Sequence, residues 1–209
     1  HGVPLRSRMF AHIETLNRWG SRLAPVSNWV MGSGLTKQLL KRVGIATERT
    51  FPPFARTTLL DWFRQRPESA GVANGGKVVL FNDCFMTYNY PHVGRAAVEL
   101  LEHLGCEVIL ADKVCCGRPM ISKGLVEDAR RCAKHNVEAL KDYAEEKIPI
   151  IGCEPSCLLT LRDEYLDLLP GEAVKSVARQ SLMLEEWLVK ILEAGRWSPR
   201  QQHSGKVLL

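Results

Sequence analysis

A chain of 209 residues with 45% apolar side chains can bury the core of one domain and carry an appendage. Several classes are excluded: there is no run of about 18 apolar residues for a membrane-spanning helix, the opening residues do not read as a signal peptide, and the formal charge of +5 comes from scattered positives with no nucleic-acid-reading motif, so no nucleic-acid partner is expected. The 7 cysteines are odd in number and gather in the second half, which suits a reducing compartment and metal or redox use better than a disulfide framework.

Residues 1–66 read as a helical and irregular segment. Met9, Phe10, Ile13, Leu16 and Trp19 fall near helical spacing, and Pro25, Gly32, Gly34, Pro52 and Pro53 interrupt any longer helix. The stretch Gly32-Ser33-Gly34-Leu35-Thr36-Lys37 resembles a phosphate loop superficially. It lacks the glycine-to-lysine spacing and a preceding strand, so it is read as a loop capping the next helix. Residues 67–76 are a linker by composition.

The pattern then becomes α/β. A short apolar strand at 77–81 runs into Asn82-Asp83-Cys84. Val93, Ala96, Ala97, Leu100, Leu101 and Leu104 mark an amphipathic helix closed by Gly105. A second strand at 107–110 runs into Val114-Cys115-Cys116-Gly117-Arg118-Pro119, and Leu125 to Leu140 carry a second helix. A third strand at 148–152 leads into Cys153-Glu154-Pro155-Ser156-Cys157. Further helices are expected through Tyr165 and, without a break, over 171–194. Strands alternating with helices predict an open, Rossmann-like parallel sheet with flanking helices, preceded by the helical segment. Each cysteine group then lies just past a strand C-terminus, the edge where such sheets place ligands.

Neighbouring cysteines pair poorly with each other, because disulfide geometry is restrictive. They do suit a metal cluster that takes a ligand from each. Thirty residues separate Cys84 from Cys115 and forty separate Cys116 from Cys157, too many for a local zinc knuckle. The competing reading is a set of buried structural cysteines. Cys106, at a strand start, and Cys132, on an apolar helix face, are read as core residues. His92 and His135 are read as capping or surface residues. Arg118 is read either as a charge near the cluster or as a plain surface residue, and Trp187 as core or interface.

The chain resembles the cysteine-rich CCG domain family. The resemblance is carried by Tyr90-Pro91-His92-Val93-Gly94-Arg95-Ala96-Ala97, Cys115-Cys116-Gly117-Arg118-Pro119, Glu154-Pro155-Ser156-Cys157-Leu158 and Arg162-Asp163-Glu164-Tyr165. The family occurs in heterodisulfide reductase, in the iron–sulfur subunits of anaerobic glycerol-3-phosphate dehydrogenase and glycolate oxidase, and in FAD-linked D-lactate dehydrogenase-like oxidases, to which the motifs look most similar. The resemblance implies an iron–sulfur cluster, a 4Fe–4S group of cubane or non-cubane type, on Cys84, Cys115, Cys116 and Cys157. Cys153 is a fifth candidate ligand, displaced by one residue from the family position that Glu154 occupies; Glu154 could itself ligate or hydrogen-bond the site.

The function implied is electron transfer within a flavin-linked 2-hydroxy-acid oxidoreductase of D-lactate or glycolate type. The chain itself would supply no catalytic residue, since it shows no flavin site. The alternatives are a disulfide-reducing iron–sulfur module and a zinc-stabilised interaction domain. Residues 204–209 echo residues 75–80. With tandem copies implied by the family, the chain is read as 77–204 forming one CCG unit and 205–209 opening a second. The parent would then add FAD, a ferredoxin-like domain and the second unit, and pass electrons to a quinone or other acceptor. The helix with Leu184, Trp187, Leu188 and Ile191 is expected to expose apolar surface and promote self-association. The location expected is cytoplasmic, with a peripheral position at the inner membrane face as the variant.

Overall fold

The computed structural model describes residues 2–48, 50–67 and 75–197. The N-terminal segment forms four short helices, α1 (Leu5–Ala11), α2 (Ile13–Arg22), α3 (Val26–Gly32) and α4 (Gly34–Arg42), then an irregular stretch and α5 (Leu59–Gln65). Ser33 caps α4, its Oγ accepting the Thr36 amide at 3.2 Å. The Gly-Ser-Gly stretch is therefore the capping loop expected. Thr58 and Asp61 close a capping box at the start of α5. This segment is tied to the rest by the Ala55 amide donating to the Tyr88 carbonyl at 2.7 Å and by Asn89 Nδ2 donating to the Pro53 carbonyl at 3.1 Å.

The sheet is all parallel. Strands β1 (Gly76–Leu80), β2 (Cys106–Leu110), β3 (Ile150–Gly152) and β4 (Ser181–Met183) lie in the order β2-β1-β3-β4. Val78 pairs with Val108, Leu80 with both Leu110 and Ile151, and Ile151 with Leu182. The connections are helical: α6 (Cys84–Tyr88) and α7 (Pro91–His103), α8 (Arg118–Ser122) and α9 (Val126–Glu145), then α10 (Pro155–Arg162), α11 (Glu164–Leu168) and α12 (Glu172–Gln180); α13 (Leu184–Glu193) follows the last strand. This is a Rossmann-like unit preceded by helices, as the alternating pattern predicts.

Side-chain alternation along the strands divides the core into two layers. Val79, Phe81 and Ile150 face α9 and α12 through Ala133, Leu140, Val174 and Val177. Val78, Leu80 and Ile151 face α5, α7 and α13 through Leu59, Val98, Leu101, Trp187 and Ile191.

Two expectations are corrected. The helix expected unbroken over 171–194 is interrupted by β4. The apolar positions Val174, Val177, Leu184, Trp187 and Ile191 keep helical spacing on both sides of a three-residue strand, which is too short to show a period of its own. Nor does α13 expose its stripe, since Trp187 and Ile191 are buried against the sheet. Exposed large apolar side chains gather instead on α1–α4. Among the described residues no helix is long and apolar enough to cross a membrane. Most of the expected linker, at 68–74, and the expected second-copy strand at 205–209 lie outside the described residues.

Candidate metal centre

The cysteines occupy the loops at the C-terminal ends of three neighbouring strands. Cys84 is the first residue of α6 after β1, and Asp83 caps that helix by accepting the Met86 amide at 2.9 Å. Cys115 and Cys116 follow β2. Gly117 comes next with φ +87°, a left-handed turn that starts α8 and that other residues adopt only with strain. Cys157 lies in the first turn of α10 after β3. Strands β1 and β3 are neighbours, yet the helix after β1 packs on one face of the sheet and those after β3 pack on the other. The crevice this opens is the topological switch point, where doubly wound sheets bind ligands.

Cys84, Cys115 and Cys116 are buried, and Cys157 is half-buried. Cys116 Sγ stands 3.1 Å from Cys157 Sγ. The thiols are held protonated in the metal-free protein. Burial, with Lys113 opposing it, pushes Cys84 up to about 12. The bond to Cys116, then burial, raises Cys115. At Cys116 the bond from Cys115 lowers the value, but the bond to Cys157 and burial lift it well above the ordinary range. At Cys157 the bond from Cys116 lowers it, and burial with the nearby Cys84, Glu154 and Asp83 outweighs that. Metal ligation would replace these protons.

Asn136 and Lys113, which sequence reasoning does not single out, and Tyr165, which enters there only within a family motif, hold the loop. Asn136 is fully buried in α9; its Oδ1 accepts the Val114 amide at 2.9 Å, and its Nδ2 donates to the Cys115 carbonyl at 3.1 Å and to Tyr165 Oη at 2.8 Å. Tyr165 Oη, also fully buried, donates to the Cys116 carbonyl at 3.0 Å. Both backbone carbonyls of the double cysteine are thus clamped from α9 and α11. Lys113 Nζ lies 3.0 Å from Glu14 of α2, with its side chain only 3% exposed. Burial pulls Lys113 down, but its pairing with Glu14 opposes this and the balance lies above its ordinary range, so an ammonium charge sits beside the thiols. An asparagine within the apolar stripe of Ala133, Val137 and Leu140 is the signal that could have identified Asn136.

The remaining sequence candidates stand apart. Cys153 packs with Ile151 and Leu182 in the core layer on the other face of the sheet, and burial, then Asp83, pushes its thiol up to about 11. It belongs to a different layer from Cys115, Cys116 and Cys157. Glu154 caps α10, accepting the Cys157 amide at 2.6 Å. Cys106 is core. Cys132 is half-buried, 3.7 Å from Met120 Sδ. Arg118 pairs with Glu164 at 2.7 Å, His92 sits edge-on to Tyr90, and His135 is exposed on α9. Among the described residues no three His, Cys, Asp or Glu side chains are arranged to hold a single metal ion.

Comparison with known proteins agrees with this architecture. Residues 78–162 match the family described as the cysteine-rich domain, CCG. It is 29% identical over 198 residues to a subunit of the anaerobic glycerol-3-phosphate dehydrogenase of Escherichia coli (strain K12), covering 93% of this chain and 50% of that protein. It is 36% identical over 122 residues to lactate utilization protein A of Exiguobacterium sp. (strain ATCC BAA-1283 / AT1b), covering 56% and 49% respectively. The figure for lactate utilization protein A of Bacillus subtilis (strain 168) is 33% over 122 residues, with 56% and 49% coverage. The chain therefore spans about half the length of the curated relatives it matches. No solved structure matches it.

Proposed function

We propose that Cys84, Cys115, Cys116 and Cys157 hold an iron–sulfur cluster, and that the chain is an electron-transfer module of a flavin-linked dehydrogenase. The observation that carries this reading is that the four thiols lie on three strand-end loops bordering the switch point, with Cys116 3.1 Å from Cys157. The surroundings fit such a group. The Lys113 ammonium, paired with Glu14, would offset the negative charge of the thiolates.

When bound, the cluster supplies one-electron redox chemistry. This chain's own part is to fix the thiolates, to aim amide donors at them and to bury them from water. Four thiolates suit a cubane 4Fe–4S cluster. We place Cys153 outside the ligand set, because a fifth thiolate would have to cross from the other layer of the core.

The names of the relatives concern glycerol 3-phosphate and lactate, both of which carry an oxidisable secondary hydroxyl. By that analogy the parent protein oxidises a lactate- or glycolate-type 2-hydroxy acid, or glycerol 3-phosphate, at an FAD outside this chain. Electrons would then pass through ferredoxin-like clusters and this one to a quinone. The layout we propose is a helical segment at 1–66, a linker at 67–76, the CCG unit at 77–204 and the start of a second copy at 205–209. In the anaerobic full-length protein, D-lactate, glycolate or glycerol 3-phosphate is expected to bleach the broad visible absorbance, and a quinone to restore it. Reduction of a disulfide substrate, with no bleaching by any of the three, would replace this reading with a disulfide reductase.

A further inference from the structure

We infer that Lys113 and Glu14 set the reduction potential of the metal centre, with opposite signs, and that α2 is thereby part of the redox centre. This rests on the iron–sulfur reading above and deepens it. Lys113 lies in the loop between β2 and the double cysteine, two residues before Cys115. Its Nζ meets Glu14 Oε1 at 3.0 Å, and the two side chains are 3% and 19% exposed. Glu14 lies on α2, well before residue 78, where the match to the CCG family begins.

A pair this buried is a weak source of stability, because desolvation of both charges offsets most of their attraction. Its place in the fold points instead to what the charges face. The Lys113 ammonium lies 5.9 Å from the centre of the Phe81 ring, on the stretch that joins β1 to Cys84. Glu14 and Cys115 line one cavity of about 300 Å³. At Cys84 the ammonium opposes burial and Glu14 works with it, so the two charges reach the same sulfur with opposite signs. Helix α2 is held in a way that fixes the carboxylate. Ser21 Oγ donates to the Tyr88 carbonyl at 3.0 Å, in the helix that Cys84 begins, and Gly20 lies against Phe54 so closely that a Cβ has no room.

Other charges near the thiols are engaged or screened. Asp83 caps α6 through the Met86 amide, and Glu154 caps α10 through the Cys157 amide. Arg118 and Arg131, paired with Glu164 and Asp128, stand 45% and 73% exposed, where water and salt screen them. Lys113 and Glu14 sit where the local dielectric is low and each charge acts strongly. A cluster that takes up one electron gains one negative charge. A nearby ammonium favours that reduced form, and a nearby carboxylate disfavours it. Removing either charge therefore moves the potential in that charge's own direction, which a loss of packing does not do.

The test is an anaerobic redox titration of the reconstituted 209-residue chain, followed by its visible absorbance. Lys113→Met is expected to lower the equilibrium constant for one-electron reduction about tenfold, or about 59 mV in potential, and Glu14→Gln to raise it by a similar factor. Lys113→Arg keeps the charge and should leave the potential near the wild-type value. The double variant Lys113→Met/Glu14→Gln should fall between the two single ones. Iron and acid-labile sulfide show that each variant carries the cluster, and Glu14→Gln decides alone if Lys113→Met does not load. In the metal-free chain the double variant should unfold at a higher temperature than Glu14→Gln, which leaves a buried ammonium without its partner. Potentials that stay at the wild-type value, or that move the same way in both single variants, overturn the inference and leave the cluster reading in place. A double variant no more stable than Glu14→Gln does the same. A wild-type chain that takes up no iron and sulfide overturns both.

Discussion

Replacing Cys115 or Cys116 by serine is expected to reduce the iron and acid-labile sulfide retained after anaerobic reconstitution by about tenfold, with Cys84→Ser and Cys157→Ser close behind. The two central cysteines are affected most because they are adjacent in one buried loop, with Cys116 in contact with Cys157. Cys106→Ser, Cys132→Ser and Cys153→Ser should retain about the wild-type load. Cys106 and Cys153 belong to the core layer on the far side of the sheet, and Cys132 faces Met120. Loss of the cluster in Cys153→Ser with unchanged folding would move that residue into the ligand set and favour a five-thiolate, non-cubane group.

Asn136→Leu should be the most damaging substitution that touches no ligand. It removes the acceptor of the Val114 amide and the donor to the Cys115 carbonyl, and it deprives Tyr165 Oη of its incoming hydrogen bond, all in a fully buried position. Each buried group left unpaired costs about 1–3 kcal/mol, so a total of about 3–5 kcal/mol is expected. For a chain of this size that is a fall of roughly 8–15 °C in the unfolding midpoint. Tyr165→Phe should cost about 1–3 kcal/mol, because it leaves the Cys116 carbonyl and Asn136 Nδ2 each short of a partner. Calorimetry on the metal-free chain measures both. The two effects should also be less than additive, since each substitution breaks the same Asn136–Tyr165 bond. An Asn136→Leu protein as stable as wild type would mean that the double-cysteine loop is held by something other than this clamp.

How much of this is legible in the sequence depends on the range of the physics involved. The strands leading to Cys84, Cys115 and Cys153 and the helix ended by Gly105 are local signals, and each is present where periodicity and turn chemistry place it. The placing of the loops that carry Cys84, Cys115, Cys116 and Cys157 at one edge of the sheet follows from topology, because parallel strands deliver their C-terminal loops to one edge. The side of the sheet on which Cys153 lies does not follow. It turns on one residue of register at the end of β3, where each step along an extended chain reverses the side chain's direction. The clamp of Asn136 and Tyr165 joins residues 29 apart through Oη and Nδ2, and no local pattern encodes it. Likewise, Leu16 and Trp19 show helical spacing in the sequence, but spacing alone does not say which way the stripe points. The small and polar residues Asn17, Gly20 and Ser21 carry that information once α2 is seen packed.

The central claim is tested most directly by counting iron, acid-labile sulfide and zinc in the wild-type chain purified and reconstituted without oxygen. Iron and sulfide are expected in equal amounts, about four of each per chain, with no more than traces of zinc. Stoichiometric zinc without sulfide, in a folded sample handled anaerobically throughout, would contradict the claim.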